Sequence, residues 1–223
     1  MKINKKILTK EQQTFLDIIS NSSESTMENF YLSGGTALTG FYIPYRYSDD
    51  LDFFSENEVN IEEILIFIKS KKDQLNYEAM DFRTSFNRNL IFLKFRKDYT
   101  LKLEFTYYPF PRIEKGNKLS KLNIDCILDI AVNKLFTIYQ NPRIRDFMDL
   151  YMIIQKENLS IEDLIKKAKI KFDWHVDKLQ LGKQFMKVID KKDYPRVLIN
   201  LEVKEYENFF LRLAKELGKS QLH

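Results

Sequence analysis

The chain has 223 residues, 44% hydrophobic and 30% charged, with a formal net charge of +4, enough for a buried core in one large or two small domains. This ordinary balance excludes a disordered or fibrous chain, and the single cysteine, Cys126, excludes an internal disulfide or a CxxC zinc site. No apolar run approaches a membrane span (Ile64-Leu65-Ile66-Phe67-Ile68 stops at Lys69), and Met1 to Lys6 lack the apolar stretch of a signal peptide, so a cytoplasmic protein with no membrane partner is expected. The excess charge lies beyond Gln155, with 15 Lys and Arg against 11 Asp and Glu, which suits either a nucleic-acid partner or solvated helix faces. The aromatic content of 14% reads as core packing, and His175 and His223 are too isolated for a histidine-based site.

Thr9-Lys10-Glu11-Gln12 reads as a capping box, with a helix to about Ser20 that turns Phe15, Ile18 and Ile19 inward. Asn21 to Met27 reads as a loop, Phe30 to Leu32 as a strand running into Gly34-Gly35, and Thr36 to Phe41 as a helix ended by Pro44. A second strand is expected over Asp50 to Phe54, a helix over Ile61 to Lys71, and strands over Asn89 to Arg96 and Leu101 to Tyr107, with a turn near Lys97-Asp98. Beyond Pro111 helical patterns take over, near 125–140, 143–156, 160–171, 177–190 and 202–218. The chain is therefore α+β: a small mixed sheet with flanking helices over 1–115, then an all-helical part over 116–223. Cys126, between Asp125 and Ile127, reads as a small buried residue.

Two features carry chemistry in the N-terminal part. In Ser33-Gly34-Gly35-Thr36, a glycine pair between a strand and a helix frees backbone N–H groups for a phosphate, and the two hydroxyls can add contacts. In Ser48-Asp49-Asp50-Leu51-Asp52-Phe53-Phe54, the strand period aims Asp50 and Asp52 at one site while Leu51 and Phe53 face the core. Two such carboxylates suit a magnesium ion shared with substrate phosphates, as in-line phosphoryl chemistry requires. Glu104, on the polar face of its strand with Lys102 and Thr106, is the candidate third carboxylate. In the helical part, Asp129 and Lys134 stand on neighbouring faces of an apolar helix, and Asp146 and Asp149 are one turn apart. Lys134 reads either as a phosphate-binding charge or as a snorkelling lysine.

These stretches together resemble the AbiEii/AbiGii-type toxin family of nucleotidyltransferases, a branch of the polymerase-β-like superfamily. The resemblance rests on Tyr31-Leu32-Ser33-Gly34-Gly35-Thr36-Ala37-Leu38, on Arg46-Tyr47-Ser48-Asp49-Asp50-Leu51-Asp52-Phe53-Phe54, on Asp129 with Lys134 as a D-x4-K motif, and on Arg145-Asp146-Phe147-Met148-Asp149-Leu150 as an R-D-x-x-D-L motif, in that order along the chain. It implies a nucleotidyltransferase domain followed by a helical domain that closes the nucleotide cleft. It also implies magnesium, or manganese, at Asp50, Asp52 and Glu104, and a nucleoside triphosphate held by Ser33, Gly34, Gly35, Thr36, Arg46, Ser48 and Lys134. Asp146 or Asp149 would complete the catalytic set. The implied activity is transfer of a nucleoside monophosphate to an acceptor such as tRNA, as the toxin of a toxin–antitoxin or phage-defence system with a cognate antitoxin. The alternatives are nucleotidylation of a protein hydroxyl, a non-catalytic nucleotide-binding module, and a glycosyltransferase that uses the DxD on a sugar nucleotide.

Overall fold

The computed structural model describes residues 3–4, 6–96 and 98–219, so Lys97 of the expected turn and the terminal His223 lie outside the described residues. The chain divides into two compact units, Met1–Pro111 with Lys115–Cys126, and Arg112–Glu114 with Ile127–His223. The mixed α and β composition agrees with the expected fold class.

The first unit is built on a seven-stranded mixed sheet. Its strands are β1 (Tyr31–Ser33), β2 (Leu51–Ser55), β3 (Ala79–Ser85), β4 (Arg88–Lys94), β5 (Thr100–Tyr107), β6 (Lys118–Leu119) and β7 (Leu122–Ile124), in the spatial order β3-β4-β5-β2-β1-β7-β6. β2 runs parallel to β5 and antiparallel to β1, and β7 runs parallel to β1. Apolar alternation buries Leu51, Phe53, Leu101, Leu103 and Phe105 on one face. There Phe53 stacks on Phe105 with centroids 5.0 Å apart, and Phe15 of α1 (Lys10–Asn21) meets Phe53 at 5.8 Å. Thr9 caps α1 as expected: Gln12 N donates to its hydroxyl at 3.2 Å, and Thr9 N donates to Gln12 Oε1 at 2.9 Å.

Four departures from the sequence reading concern this unit. β3 was not anticipated: it is an edge strand exposed along nearly its whole length, so it lacks the alternation that marks a half-buried strand. β6 and β7 have two and three residues and leave no periodic signal. The expected loop after α1 contains a single helical turn, α2 (Ser25–Glu28), and the helix after the glycines begins at Gly34 as α3 (Gly34–Ala37) and widens into a π turn over Leu38–Tyr42. Two further helices, α4 (Ile61–Ser70) and α5 (Lys72–Leu75), follow β2.

The second unit consists of α6 (Ile127–Gln140), α7 (Ile144–Glu157), α8 (Ile161–Phe172), α9 (Lys178–Met186) and α10 (Val203–Lys219), close to the expected spans. Asn158 and Asp173 end α7 and α8 in the left-handed conformation, and Ser160 and Asp177 cap α8 and α9 through the backbone N–H groups of Asp163 and Gln180. Phe147, Phe185 and Phe210 form its aromatic centre, with Phe210 5.0 Å from Phe147 and 5.1 Å from Phe185. No helix among the described residues is long and apolar enough to cross a membrane.

Candidate active site

The glycine pair and the carboxylates meet at the end of β1. Gly34 has φ of +67°, which a residue without Cβ adopts at little cost. A Cβ there would lie 2.6 Å from Asp52 Oδ2, so the missing side chain lets that carboxylate reach the turn. At Gly35 a Cβ would lie 2.6 Å from Arg46 Nη2 and 2.8 Å from Ser48 Oγ. One glycine admits an acid, the other a guanidinium and a hydroxyl.

Buried hydrogen bonds fix this turn. Ser33 Oγ donates to Asp125 Oδ2 at 2.6 Å, and Tyr42 OH donates to the Asp125 carbonyl at 2.8 Å. Asp125 therefore grips the chain on both sides of the glycines. Thr36 Oγ1 donates to the Asp50 carbonyl, and Gln12 Nε2 donates to the Ser48 carbonyl at 2.8 Å. Arg46, buried, donates to the Tyr47 carbonyl at 2.8 Å and to Tyr45 OH at 3.2 Å. Among the residues expected at the nucleotide, Ser33, Thr36 and Arg46 thus spend polar atoms on the scaffold of the turn, while Gly34 and Ser48 are half-buried.

Asp50 precedes β2 directly, and Asp52 lies within it; both are half-buried, whereas Asp49 is exposed. Asp52 pairs in register with Ser33 of β1 and Glu104 of β5, so turn, acid and third carboxylate share one row across three strands. Glu104 is not the exposed strand residue its pattern allows: it is 6% exposed. Arg88, at the start of β4, grips it with a two-bond fork, Nε to Oε1 at 2.6 Å and Nη2 to Oε2 at 2.8 Å. Lys102 Nζ stands 2.7 Å from Asp50 Oδ2 and 3.7 Å from Glu104 Oε2. Burial pushes the Glu104 carboxyl up, but Arg88 and then Lys102 outweigh it and hold it below the usual carboxylate range.

Among the described residues no group of three or more His, Cys, Asp or Glu is arranged to hold a metal ion. The donor set is nonetheless suited to a hard divalent cation that brings its remaining ligands with it. Asp50 and Asp52 offer oxygens at a turn with backbone N–H groups, and magnesium is commonly held by one or two carboxylates together with substrate phosphates.

In the helical unit the motif residues are buried and hold one another. Lys134 Nζ lies 2.7 Å from Asp146 Oδ1 and 2.6 Å from Asp149 Oδ2, and Arg143 Nε donates to Asp146 Oδ2 at 2.8 Å. Burial raises the Asp146 carboxyl, yet Lys134 and Arg143 bring it below its ordinary value. Asp129 does not partner Lys134. It takes Lys171 Nζ at 2.5 Å and the backbone N–H groups of Ile113 and Glu114 at 3.0 and 3.1 Å. Sequence reasoning missed Arg88, Lys102, Asp125 and Lys171. Two of them left a signal: Lys102 shares the polar face of its strand with Glu104, and Lys171 is a lysine on the apolar stripe of Ile161, Leu164, Ala168 and Phe172.

The family model for "Nucleotidyl transferase AbiEii toxin, Type IV TA system" matches residues 17–217. The uncharacterized protein aq_aa25 of Aquifex aeolicus is 30% identical over 214 residues, covering 94% of this chain and 97% of that one. JHP933 from Helicobacter pylori superposes with a TM-score of 0.60 at 20% identity, over 95% of this chain and 90% of its own. A candidate nucleotidyltransferase of H. pylori superposes at 0.58 and 18% identity, over 97% and 99%. The ordered motifs, the row of turn and carboxylates and the match over nearly the whole chain lead to one conclusion: the chain belongs to the AbiEii nucleotidyltransferase toxin family of type IV toxin–antitoxin systems.

Proposed function

We propose that the protein transfers a nucleoside monophosphate from a magnesium-bound nucleoside triphosphate to an RNA acceptor such as tRNA, acting as a cytoplasmic toxin countered by an antitoxin. The observation that carries this reading is the contact of Gly34 with Asp52, which sets a phosphate-binding turn against a pair of carboxylates. In the transfer, an acceptor hydroxyl gives its proton to solvent and its oxygen bonds to the α-phosphorus, while the bond from that phosphorus to the bridging oxygen breaks and pyrophosphate leaves. Asp50 and Asp52 would hold the cation, which would supply neutralisation of the charge that develops on the phosphates. Gly34 and Gly35 offer backbone N–H groups to the phosphates, Ser48 lies beside them, and Ser33, Thr36 and Arg46 keep the turn in shape. In the helical unit Lys134 is the cation of its motif, held by Asp146 and Asp149.

The test is label transfer from each of four α-labelled triphosphates to total cell RNA with magnesium, beside an Asp50→Asn/Asp52→Asn variant. A labelled tRNA-sized species that the variant fails to produce is the expected result. Transfer that survives in the variant would overturn the assignment, and label on protein alone would move the acceptor to a protein hydroxyl.

A further inference from the structure

Glu104 occupies the row of the metal-binding carboxylates, but its two oxygens are engaged in a way that points elsewhere. Both arms of the Arg88 fork close on it, and Thr106 Oγ1 donates to Oε1 at 3.2 Å. A carboxylate 8% exposed in its side chain, facing an arginine whose side chain is 54% exposed, is the geometry of an acid that orients a base on the side open to solvent. The bidentate pair uses Nε and one Nη2 hydrogen, which leaves Nη1 and the second Nη2 hydrogen to bind a ligand in the same plane. The site itself is close by. Glu104 pairs in register with Asp52, and Asp50 and Asp52 both act electrostatically on Arg88. Lys102, between Asp50 and Glu104, adds a second cation on the same side.

Resting on the nucleotidyltransferase reading, we propose that Arg88 is a phosphate-binding residue of this site and that Glu104 is its positioning residue rather than a metal ligand. The chemistry recognised is a phosphate group with two oxygens in the plane of the guanidinium. Two sources supply it, the triphosphate of the incoming nucleotide and the backbone of an RNA acceptor.

The experiment measures binding of two probes to the full chain, a fluorescent non-hydrolysable nucleoside triphosphate with magnesium and a labelled single-stranded RNA. Removing Arg88 alone strands the buried Glu104 carboxylate, so the variant used is Arg88→Ala/Glu104→Gln, with Arg88→Lys and Glu104→Gln beside it and melting curves for each. The double variant is expected to melt near the wild type and to bind one probe roughly 10- to 100-fold more weakly, the range for loss of charge-assisted hydrogen bonds. Loss confined to the triphosphate assigns the nucleotide, and loss confined to RNA assigns the acceptor backbone. Arg88→Lys, which keeps the charge without the fork, recovers part of the affinity. Glu104→Gln raises KM for that substrate more than it lowers kcat, because it loosens Arg88 without removing it. Wild-type affinity for both probes in the double variant overturns the proposal while leaving the nucleotidyltransferase reading intact. So does loss of manganese binding in Glu104→Gln, since that result makes Glu104 a ligand. A wild-type protein that binds neither probe would sink the nucleotidyltransferase reading and this inference with it.

Discussion

Replacing Lys171 by Met tests whether the acid of the D-x4-K motif is structural. Lys171 and Asp129 have fully buried side chains 2.5 Å apart. At an effective dielectric of about 20 their attraction is roughly 7 kcal/mol, and taking both ions out of water costs several kcal/mol each, so the intact pair adds little net stability. Removing one partner is different: the Asp129 carboxylate then stays buried without the ammonium, the Ile113 and Glu114 amides still donating to it, a loss of about 3–5 kcal/mol. For a unit of about 100 residues that lowers the melting temperature by at least roughly 12 °C. The double change Asp129→Asn/Lys171→Met keeps both amide bonds without a buried charge and is expected to recover most of the loss. The pH dependence gives the sign. In the wild type burial raises the Asp129 carboxyl, but Lys171 and the amides hold it below its ordinary value, so its contribution is present above about pH 4 and lost as pH falls through the depressed folded value. Without Lys171 its lowering influence is lost and the folded value is expected to rise, burial being the largest single influence on this carboxyl. The penalty is then absent below about pH 4 and grows as pH climbs through the raised folded value. Calorimetry at pH 7 and pH 4.5 should show the gap between variant and wild type closing in acid. A gap under about 1 kcal/mol at pH 7, or one that ignores pH, would refute the buried-pair account.

Gly34→Ala places a Cβ 2.6 Å from Asp52 Oδ2 at a φ of +67°; we expect a stability cost of about 1–2 kcal/mol and a drop in transfer activity of more than about ten-fold, measured by melting and label transfer. Lys134→Met removes a buried cation 2.6 Å from Asp149 and 2.7 Å from Asp146; a loss of about 3–5 kcal/mol should move the urea midpoint by roughly 1–5 M, and an unmoved midpoint would show that Lys134 carries no structural charge.

The elements that lay open in the sequence are those whose signal is local. The Thr9 capping box, the alternation of Leu101, Leu103 and Phe105, and the helical periods after Ile127 each repeat within a few residues. Gly34 and the Asp50-Leu51-Asp52 spacing were legible for the same reason, since backbone freedom and strand parity are short-range properties. What stayed hidden depends on partners distant along the chain. Asp125 acquires its role only because β7 lies beside β1, and Arg88 only because β4 pairs with β5 so as to deliver it to Glu104. The motif Asp129-x4-Lys134 sets the two residues on neighbouring helix faces, and each has its own partners, Lys171 for the first and Asp146 with Asp149 for the second. A lysine in a run that includes Lys166, Lys167 and Lys169 reads as solvated unless its place on the apolar stripe is weighed.

β7 has a consequence for the order in which the protein matures. It is the neighbour of β1 on the side away from β2, and the residue just after it, Asp125, receives the Ser33 hydroxyl. Ribosomal synthesis must therefore proceed some ninety residues past Ser33 before the Gly34-Gly35 loop has both its walls. A chain released before Asp125 carries Gly34, Asp50 and Asp52 without the clamp on their loop, so an unfinished product has the motif but not the turn geometry of the finished one.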